Sequence, residues 1–198
     1  MSILWHLLPL FSALPVILTC CFPRQIRFDI LVRGHEKYEE GEGMDYSENR
    51  TFFYDEIMNC TLLRGTPFGF PMEIFTNYSS GIEYTVTDEC AMRVINGGFN
   101  KMCLPSNAVL QRTVRIPLSV KEVSVYRANV SDYTGVLQQE YGVIQERDSC
   151  YFLWSKTEGI LNDFGLRGTF SETLTYQNIQ TLSENGPVFE IPGKCHDV

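Results

Sequence analysis

Short stretches of alternating apolar and polar residues, separated by turn residues, run through most of the chain. The clearest is residues 72–90, which predicts a β-hairpin ending at Cys90. Phe75 breaks the alternation just before a turn cluster at residues 77–81. The apolar residues at alternate positions on the two arms are Met72, Ile74, Ile82, Tyr84 and Val86. We expect one face of this hairpin to lie on an apolar interior and the other to face water.

Similar patterns recur along the rest of the sequence. They predict about ten short strands with turn signals between them, an all-β pattern typical of a sandwich or of two curved antiparallel sheets. Residues 64–71 are a Gly- and Pro-containing break, residues 34–49 form an acidic exposed loop, and residues 178–184 form a short helix. No linker divides the chain, so residues 21–198 are predicted to form a single domain. The further predicted strands are residues 26–33, 50–55, 57–63, 91–95, 110–117, 121–128, 135–145, 150–156 and 169–177.

Residues 1–20 are predominantly apolar and contain no Asp, Glu, Lys or Arg. Pro9 and Pro15 interrupt this run, which is short for a membrane span and is typical of a secretory signal peptide. Cleavage after Cys20 and cleavage after Thr19 both fit the sequence. No second apolar run follows, so we expect a secreted, unanchored protein. Delivery to a lysosome-like compartment is equally compatible with these residues.

Cysteines and glycosylation sequons support the secretory route. Cleavage after Cys20 leaves six cysteines, an even number that predicts disulfides. Their number and spacing do not decide which cysteines pair. Four Asn-x-Ser/Thr sites predict glycosylation: Asn49, Asn59, Asn77 and Asn129. Asn77 lies in the turn of the hairpin. Asn59 is the weaker site because Cys60 lies within its sequon.

The formal net charge of −8 argues against a nucleic-acid partner, which would need a basic face. The same charge is compatible with weak association with divalent cations or simply with solubility. Calcium ligands could come from Glu39, Glu40, Glu42 and Asp45, although these residues lack EF-hand spacing. The metal site is therefore left unassigned.

The sequence contains no motif that indicates catalysis. The three histidines lie at positions 6, 35 and 196, and no G-x-S-x-G or zinc-binding spacing occurs. Asp88 and Glu89 are adjacent, and on a strand end they would point to opposite faces. No catalytic residue is assigned, and the protein is predicted not to be an enzyme; a secreted hydrolase is the weakest of the hypotheses.

Aromatic residues occur on most of the predicted strands. They fit a packed all-β core, and they fit equally well two curved sheets that leave an apolar cavity for a lipid-like ligand. If a pocket exists, inward residues of the central strands should line it: Ile74, Tyr84, Val86, Val114, Val123 and Val125.

Several segments together resemble the ependymin family, specifically the ependymin-related proteins. They are the Cys-Phe-Pro start at residue 21, the Gly81–Val86 step before Cys90, and the segment Leu-Pro-Ser-Asn-Ala from residue 104. A Gly–Tyr strand before Cys150 and the ending Pro-Val-Phe-Glu-Ile-Pro-Gly-Lys-Cys up to residue 195 complete the pattern. The chain departs from the family where Cys103 replaces an apolar residue, where Gly186 precedes Pro187, and in its short tail after Cys195.

The resemblance implies a secreted, glycosylated, non-enzymatic protein without a cofactor. It implies two antiparallel sheets around a deep apolar pocket, similar to bacterial lipoprotein carriers, with lipid-like ligands, association with calcium and a homodimer. It also implies that Cys21 pairs with Cys150 and Cys90 with Cys195, which leaves Cys60 to pair with Cys103. The resulting hypothesis is a ligand-binding protein. The alternative is an extracellular matrix or mineral-associated protein that acts through its acidic, glycosylated surface.

Overall fold

A computed structural model describes residues 20–39, 41–117, 121–132, 135–146, 149–163, 166–182 and 189–196. Nearly all of the predicted signal peptide, residues 1–19, lies outside these ranges. The described segments are almost entirely β-structure, and none forms a helix long and apolar enough to cross a membrane. The strands are β1 (Gln25–Tyr38), β2 (Met44–Asp55), β3 (Cys60–Gly65), β4 (Met72–Asn77), β5 (Ile82–Val86), β6 (Cys90–Val94), β7 (Val109–Arg115), β8 (Glu122–Asp132), β9 (Gly135–Glu146), β10 (Ser149–Asp163) and β11 (Leu166–Thr181).

The eleven strands form one antiparallel sheet in the order β6-β5-β4-β3-β2-β1-β11-β10-β9-β8-β7. The predicted all-β antiparallel class is confirmed. The strands are joined in one continuous hydrogen-bonded sheet, whereas two sheets were expected. The reason is the pairing of β1 with both β2 and β11, which fuses an N-terminal and a C-terminal set of hairpins.

Two segments differ from the sequence-based expectation. Most of the acidic segment 34–49 is strand and not loop, because β1 continues to Tyr38 and β2 begins at Met44, with His35 opposite Asp45. The described part of segment 178–184 is not a helix, because β11 continues to Thr181; residues 183 and 184 lie outside the described ranges. At Asn178 the backbone has a φ of 50°, where the register with β1 shifts, and the Asn178 side chain donates to Asp29 Oδ2 at 2.7 Å. The Asn178 side chain at this bulge thus has a polar partner, and β11 continues on both sides of the bulge.

Alternating side chains give the sheet two faces, which we name by a residue on each. The Phe28 face carries Phe28 of β1 and, through the strand register, Phe52 of β2 and Phe152 of β10. The Phe53 face carries Phe53 of β2 and its neighbours Leu62 and Phe75 on β3 and β4. Each face has its own buried apolar cluster, so both faces are covered in different parts of the sheet.

The larger core lies on the Phe28 face at the centre of the sheet. The N-terminal segment crosses this face, and the Phe22 ring lies 5.1 Å from Phe28 and 4.7 Å from Phe152 between ring centroids. Tyr176 of β11 packs against the same rings. Residues Phe99, Met102 and Leu104, between β6 and β7, also pack on this core. The centre of the Phe28 face is therefore filled by the protein's own side chains.

The smaller core lies on the Phe53 face of β2–β5. Phe53, Leu62, Phe75 and Tyr84 are buried there together with Cys60, and the C-terminal segment covers them through Phe189 and Cys195. The Cys90–Cys195 disulfide holds this segment against the sheet, as the family resemblance implied.

The other two disulfides differ from the expected pairing. Cys20 pairs with Cys150, in place of Cys21, and Cys21 pairs with Cys103. Cys60 is a buried free thiol. The physical reason is the strand-like N-terminal segment: Cys20 is buried in the central core beside Cys150, while Cys21 forms an isolated β-bridge with Cys103. Because Cys60 lies on β3 in the opposite-face core, it is out of reach of Cys103.

The disulfides distinguish between the two predicted signal-peptide cleavage sites, after Thr19 and after Cys20. Cleavage after Cys20 would remove the partner of Cys150, whereas cleavage after Thr19 retains it. A mature domain with all three disulfides must therefore include Cys20, and the domain boundary moves from residue 21 to residue 20 or earlier. Three disulfides indicate folding in an oxidising compartment.

Candidate functional site: a polar cavity on the Phe28 face

The structure does not bring the six predicted pocket residues together. Phe75 pairs with Tyr84, so Tyr84 and Val86 lie on the Phe53 face while Ile74 lies on the Phe28 face. Tyr84 and Val86 are part of the smaller core. Val114, Val123 and Val125 are on β7 and β8, at the other end of the sheet, and the Val114 side chain is 46% exposed. None of the six lines the three cavities described below.

One cavity lies on the Phe28 face, beside the central core, where β2, β1 and β11 are neighbours. Its volume is about 510 Å³, which falls within the roughly 300–1,000 Å³ of ordinary ligand sites. We call it the Glu48 cavity. Strands β1, β2 and β11 and the 3-10 turn at Pro67–Gly69 contribute its lining: Glu36, Met44, Tyr46, Ser47, Glu48, Arg50, Thr66, Pro67, Gly69 and Glu172.

Strand alternation places the charged lining residues on one face. On β2, Tyr46, Glu48 and Arg50 are two positions apart and therefore project to the same side. Gly34 of β1 lies opposite both Tyr46 and Glu172, which brings β2 and β11 side chains together across β1. The Gly- and Pro-containing break predicted at residues 64–71 supplies the turn at the edge of the cavity.

Gly34 makes this arrangement possible. A Cβ atom at this position would lie 2.1 Å from Cζ of Tyr46, so the tyrosine ring lies directly over the glycine. Its hydroxyl thereby crosses β1 and donates to Glu172 Oε2 at 3.2 Å. Burial, followed by the charge of Glu172, raises the pKa of Tyr46 to about 12. Tyr46 is consequently a neutral hydrogen-bond donor at physiological pH.

Glu48 is an enclosed charge in the cavity. Arg50 Nη2 donates to Glu48 Oε1, and the side chain of Glu48 is only 10% exposed. Its second oxygen, Oε2, is buried and has no hydrogen-bond partner among the described residues. Arg50 Nε is also buried and also lacks a hydrogen-bond partner among these residues. A buried carboxylate oxygen without a donor is unfavourable by about 1–3 kcal/mol or more. This oxygen is therefore a group in the cavity with unmet hydrogen-bonding capacity.

Two further cavities are also polar. One lies near the β1 and β11 ends, between Tyr38, Ile160 and Arg167. The other is on the Phe53 face near Arg27, Asp29 and Arg64. The second of these has no large apolar side chain in its lining, whereas the Glu48 cavity includes Met44, Tyr46 and Pro67.

The four sequons occupy different surroundings. Asn49 and Asn129 are exposed on strands, and Asn77 is half-buried at the hairpin turn, where its side chain accepts from the Ser79 and Ser80 amides. Asn59 is half-buried at a backbone φ of 53°. Glycosylation at these positions remains a prediction.

The acidic hairpin tip does not assemble a metal site in the described part of the chain. Asp45 pairs with His35 at 2.7 Å, and Glu39 lies 3.9 Å from Arg167. Glu42 is exposed, and Glu40 lies outside the described residues. Within the described ranges, no group of three or more His, Cys, Asp or Glu side chains is arranged to hold a metal ion.

Cys60 provides a test of the disulfide assignment. Burial, with a smaller contribution from the charge of Asp55, raises the pKa of the Cys60 thiol from 9.0 to about 11. The thiol donates to the carbonyl oxygen of Met58 at 3.4 Å. At any pH below 9, this rise of two pKa units lowers the fraction of thiolate about a hundredfold. The thiolate is the reactive form of cysteine.

We expect iodoacetamide to modify the native protein at least about a hundredfold more slowly than the urea-unfolded, unreduced protein. The unfolded protein should carry one reactive thiol, mapped to Cys60. Because the pKa of Cys60 is higher in the folded protein, the contribution of this thiol to the free energy of unfolding is complete below pH 9. It is lost as the pH rises from 9 to 11. Cys60→Ala should therefore lack that part of the pH dependence. A thiol mapped to Cys103, or equal rates in the two states, would contradict the assignment.

Sequence reasoning missed Glu36 and Glu48 because the segment 34–49 resembled a loop. Two signals could have found them. Tyr46, Glu48 and Arg50 alternate in phase with Phe52, so they continue its face of the strand. An isolated glycine within a strand pattern, here Gly34, is typical of a close approach by a neighbouring group.

No protein-family model matches this chain, and no curated protein sequence matches it. Among solved structures, the chain is similar to a LolA superfamily protein from Nitrosomonas europaea, with a TM-score of 0.37 and 11% identity over 82% of this chain and 89% of that chain. MucB in complex with MucA(peri) matches with a TM-score of 0.15 and 7% identity over 80% and 94% of the two chains. The functional proposal below therefore rests on the cavity itself.

Proposed function

We propose that this protein is a secreted, glycosylated, non-enzymatic β protein of the ependymin type that holds a lipid-like ligand in the Glu48 cavity. The observation that carries the proposal is a cavity of about 510 Å³ beside a completely packed core. Its volume is sufficient for an alkyl chain or a small ring system. The three disulfides and the resemblance in sequence support a secreted carrier.

The lining favours an amphiphile over a purely apolar molecule. Met44, Tyr46 and Pro67 offer apolar surface, while the carboxylates offer hydrogen-bond acceptors. Ligand sites typically combine such apolar walls with a few polar groups that fix orientation. The apolar part of the ligand would lie along the Met44 side, and its polar end would lie near Glu48.

Nile red, a neutral fluorophore, tests the location of the site. We expect wild-type protein, stripped of bound lipid, to bind it with increased fluorescence. Met44→Trp places a bulky ring in the cavity and should weaken binding about tenfold, a loss of about 1.4 kcal/mol in binding free energy. Native mass spectrometry of protein from a secreting cell should in addition show a bound lipid-like mass.

Met92→Trp is a matched control. Met44 and Met92 are 50% and 47% exposed, and Met92 lies on β6, away from the cavity. The control should bind Nile red like the wild type. Equal binding by wild type and Met44→Trp would exclude the Glu48 cavity as the site, and absence of binding by the wild type would remove the proposal.

A further inference from the structure

We propose that the Glu48 cavity selects ligands whose polar end is a cationic hydrogen-bond donor, such as a primary ammonium group. This inference rests on the proposed function and specifies the class of ligand. It is carried by two separate observations, the charge of the lining and the unpartnered buried oxygen of Glu48.

The first observation concerns the balance of charge. The lining holds three carboxylates, from Glu36, Glu48 and Glu172, and one guanidinium, from Arg50, which leaves a formal charge of −2. Arg50 is already engaged by Glu48. Strand register places Glu36 of β1 and Glu172 of β11 on the same face as Glu48. A cation is therefore favoured in this cavity and an anion is disfavoured.

The second observation concerns hydrogen bonding. Glu48 Oε2 is an acceptor, and the Glu48 side chain is nine-tenths buried. An N–H donor that reaches this oxygen would replace an unmet interaction with a charge-assisted hydrogen bond, which is roughly twice as strong as a neutral one. A hydroxyl could donate as well, but it would leave the net negative charge of the lining uncompensated.

The neighbouring donors leave this acceptor without a partner among the described residues, and Arg50 Nε is likewise unpaired. Tyr46 directs its hydroxyl to Glu172, so this donor is used on the β11 side of the cavity. Arg50 satisfies only the Oε1 oxygen of Glu48. The described residues do not form a metal-binding group here or elsewhere, so the chemistry favours an organic cation over a metal ion.

The test uses three ligands with the same chain and different polar ends: octylamine, octanol and octanoate. Each is titrated into lipid-stripped full-length protein at neutral pH by isothermal titration calorimetry. We expect octylamine to bind at least about tenfold more tightly than octanol. Octanoate should bind more weakly than octanol. Raising the salt concentration should weaken octylamine binding more than octanol binding.

Glu48→Gln tests the residue assignment. It keeps the shape of the side chain and removes its charge, so the preference for octylamine over octanol should fall to about threefold or less. Glu89→Gln, on an exposed turn, is the matched control and should keep the wild-type preference. If Glu48→Gln does not fold, Glu172→Gln provides the second variant, because an amide oxygen can still accept from Tyr46.

The outcomes separate this inference from the proposed function. Equal binding of octylamine and octanol would overturn the cationic preference and leave a lipid-like ligand in place. A full preference for octylamine in the Glu48→Gln or Glu172→Gln variant would overturn the assignment to these carboxylates. Failure of all three ligands, together with failure of Nile red, would overturn the proposed function itself.

Discussion

Replacing Phe28 with Ala is expected to lower the free energy of unfolding by about 3–5 kcal/mol. Phe28 is 0% exposed, and its ring centroid lies 5.1 Å from Phe22, 5.4 Å from Phe52 and 5.4 Å from Tyr176. These three rings belong to two other strands and to the N-terminal segment, so no single one can move to close the space. Urea unfolding, followed by fluorescence, measures the change.

Phe70→Ala is the control for this experiment. Phe70 is 73% exposed at the end of the 3-10 turn, and its removal should change the free energy of unfolding by less than about 0.5 kcal/mol. A loss below about 1 kcal/mol for Phe28→Ala would contradict the packing of the Phe28 face described above.

The double substitution of Cys20 and Cys150 with Ala is expected to destabilise the protein by about 3–5 kcal/mol. The bond joins positions separated by 130 residues, and its removal increases the conformational entropy of the unfolded chain. Replacing both cysteines avoids leaving an unpaired thiol. Denaturant unfolding of the oxidised variant, compared with the wild type, measures this loss.

Peptide mapping without reduction checks the bonds themselves. Because Cys20 and Cys21 are adjacent, a peptide that contains both should be linked to the Cys150 peptide and to the Cys103 peptide. A mature chain that begins at Cys21, with Cys21 bonded to Cys150, would contradict the structure and restore the pairing that the family resemblance implied.

The alternating pattern predicted most of the strands because the direction of each side chain depends on local backbone geometry. The β4–β5 hairpin, for example, lies where the pattern placed it. The pattern could not predict that β1 and β11 pair, since this contact joins distant parts of the chain. That single pairing turns two expected sheets into one.

The residues of the candidate site were harder to predict than the strands. In the hairpin, Phe75 rather than Ile74 shares a face with Tyr84, and this register depends on the length of the turn. In segment 34–49, the acidic residues indicated a loop, yet hydrogen bonds between β1 and β2 maintain extended structure there. The length of the turn therefore decided the face of the hairpin, and local composition concealed the strand that carries Glu48.

The central position of the β1–β11 pair has a consequence for the order of folding. Ile26 lies opposite Thr181, so almost the whole chain must be synthesised before the middle of the sheet can close. Strands β1–β6 and β7–β10 can pair early, but each set then exposes an unpaired edge, at β1 and at β10, where β11 is missing. Folding should therefore be slow for a chain of this size, and these exposed edges make the period before β11 emerges the one most prone to aggregation.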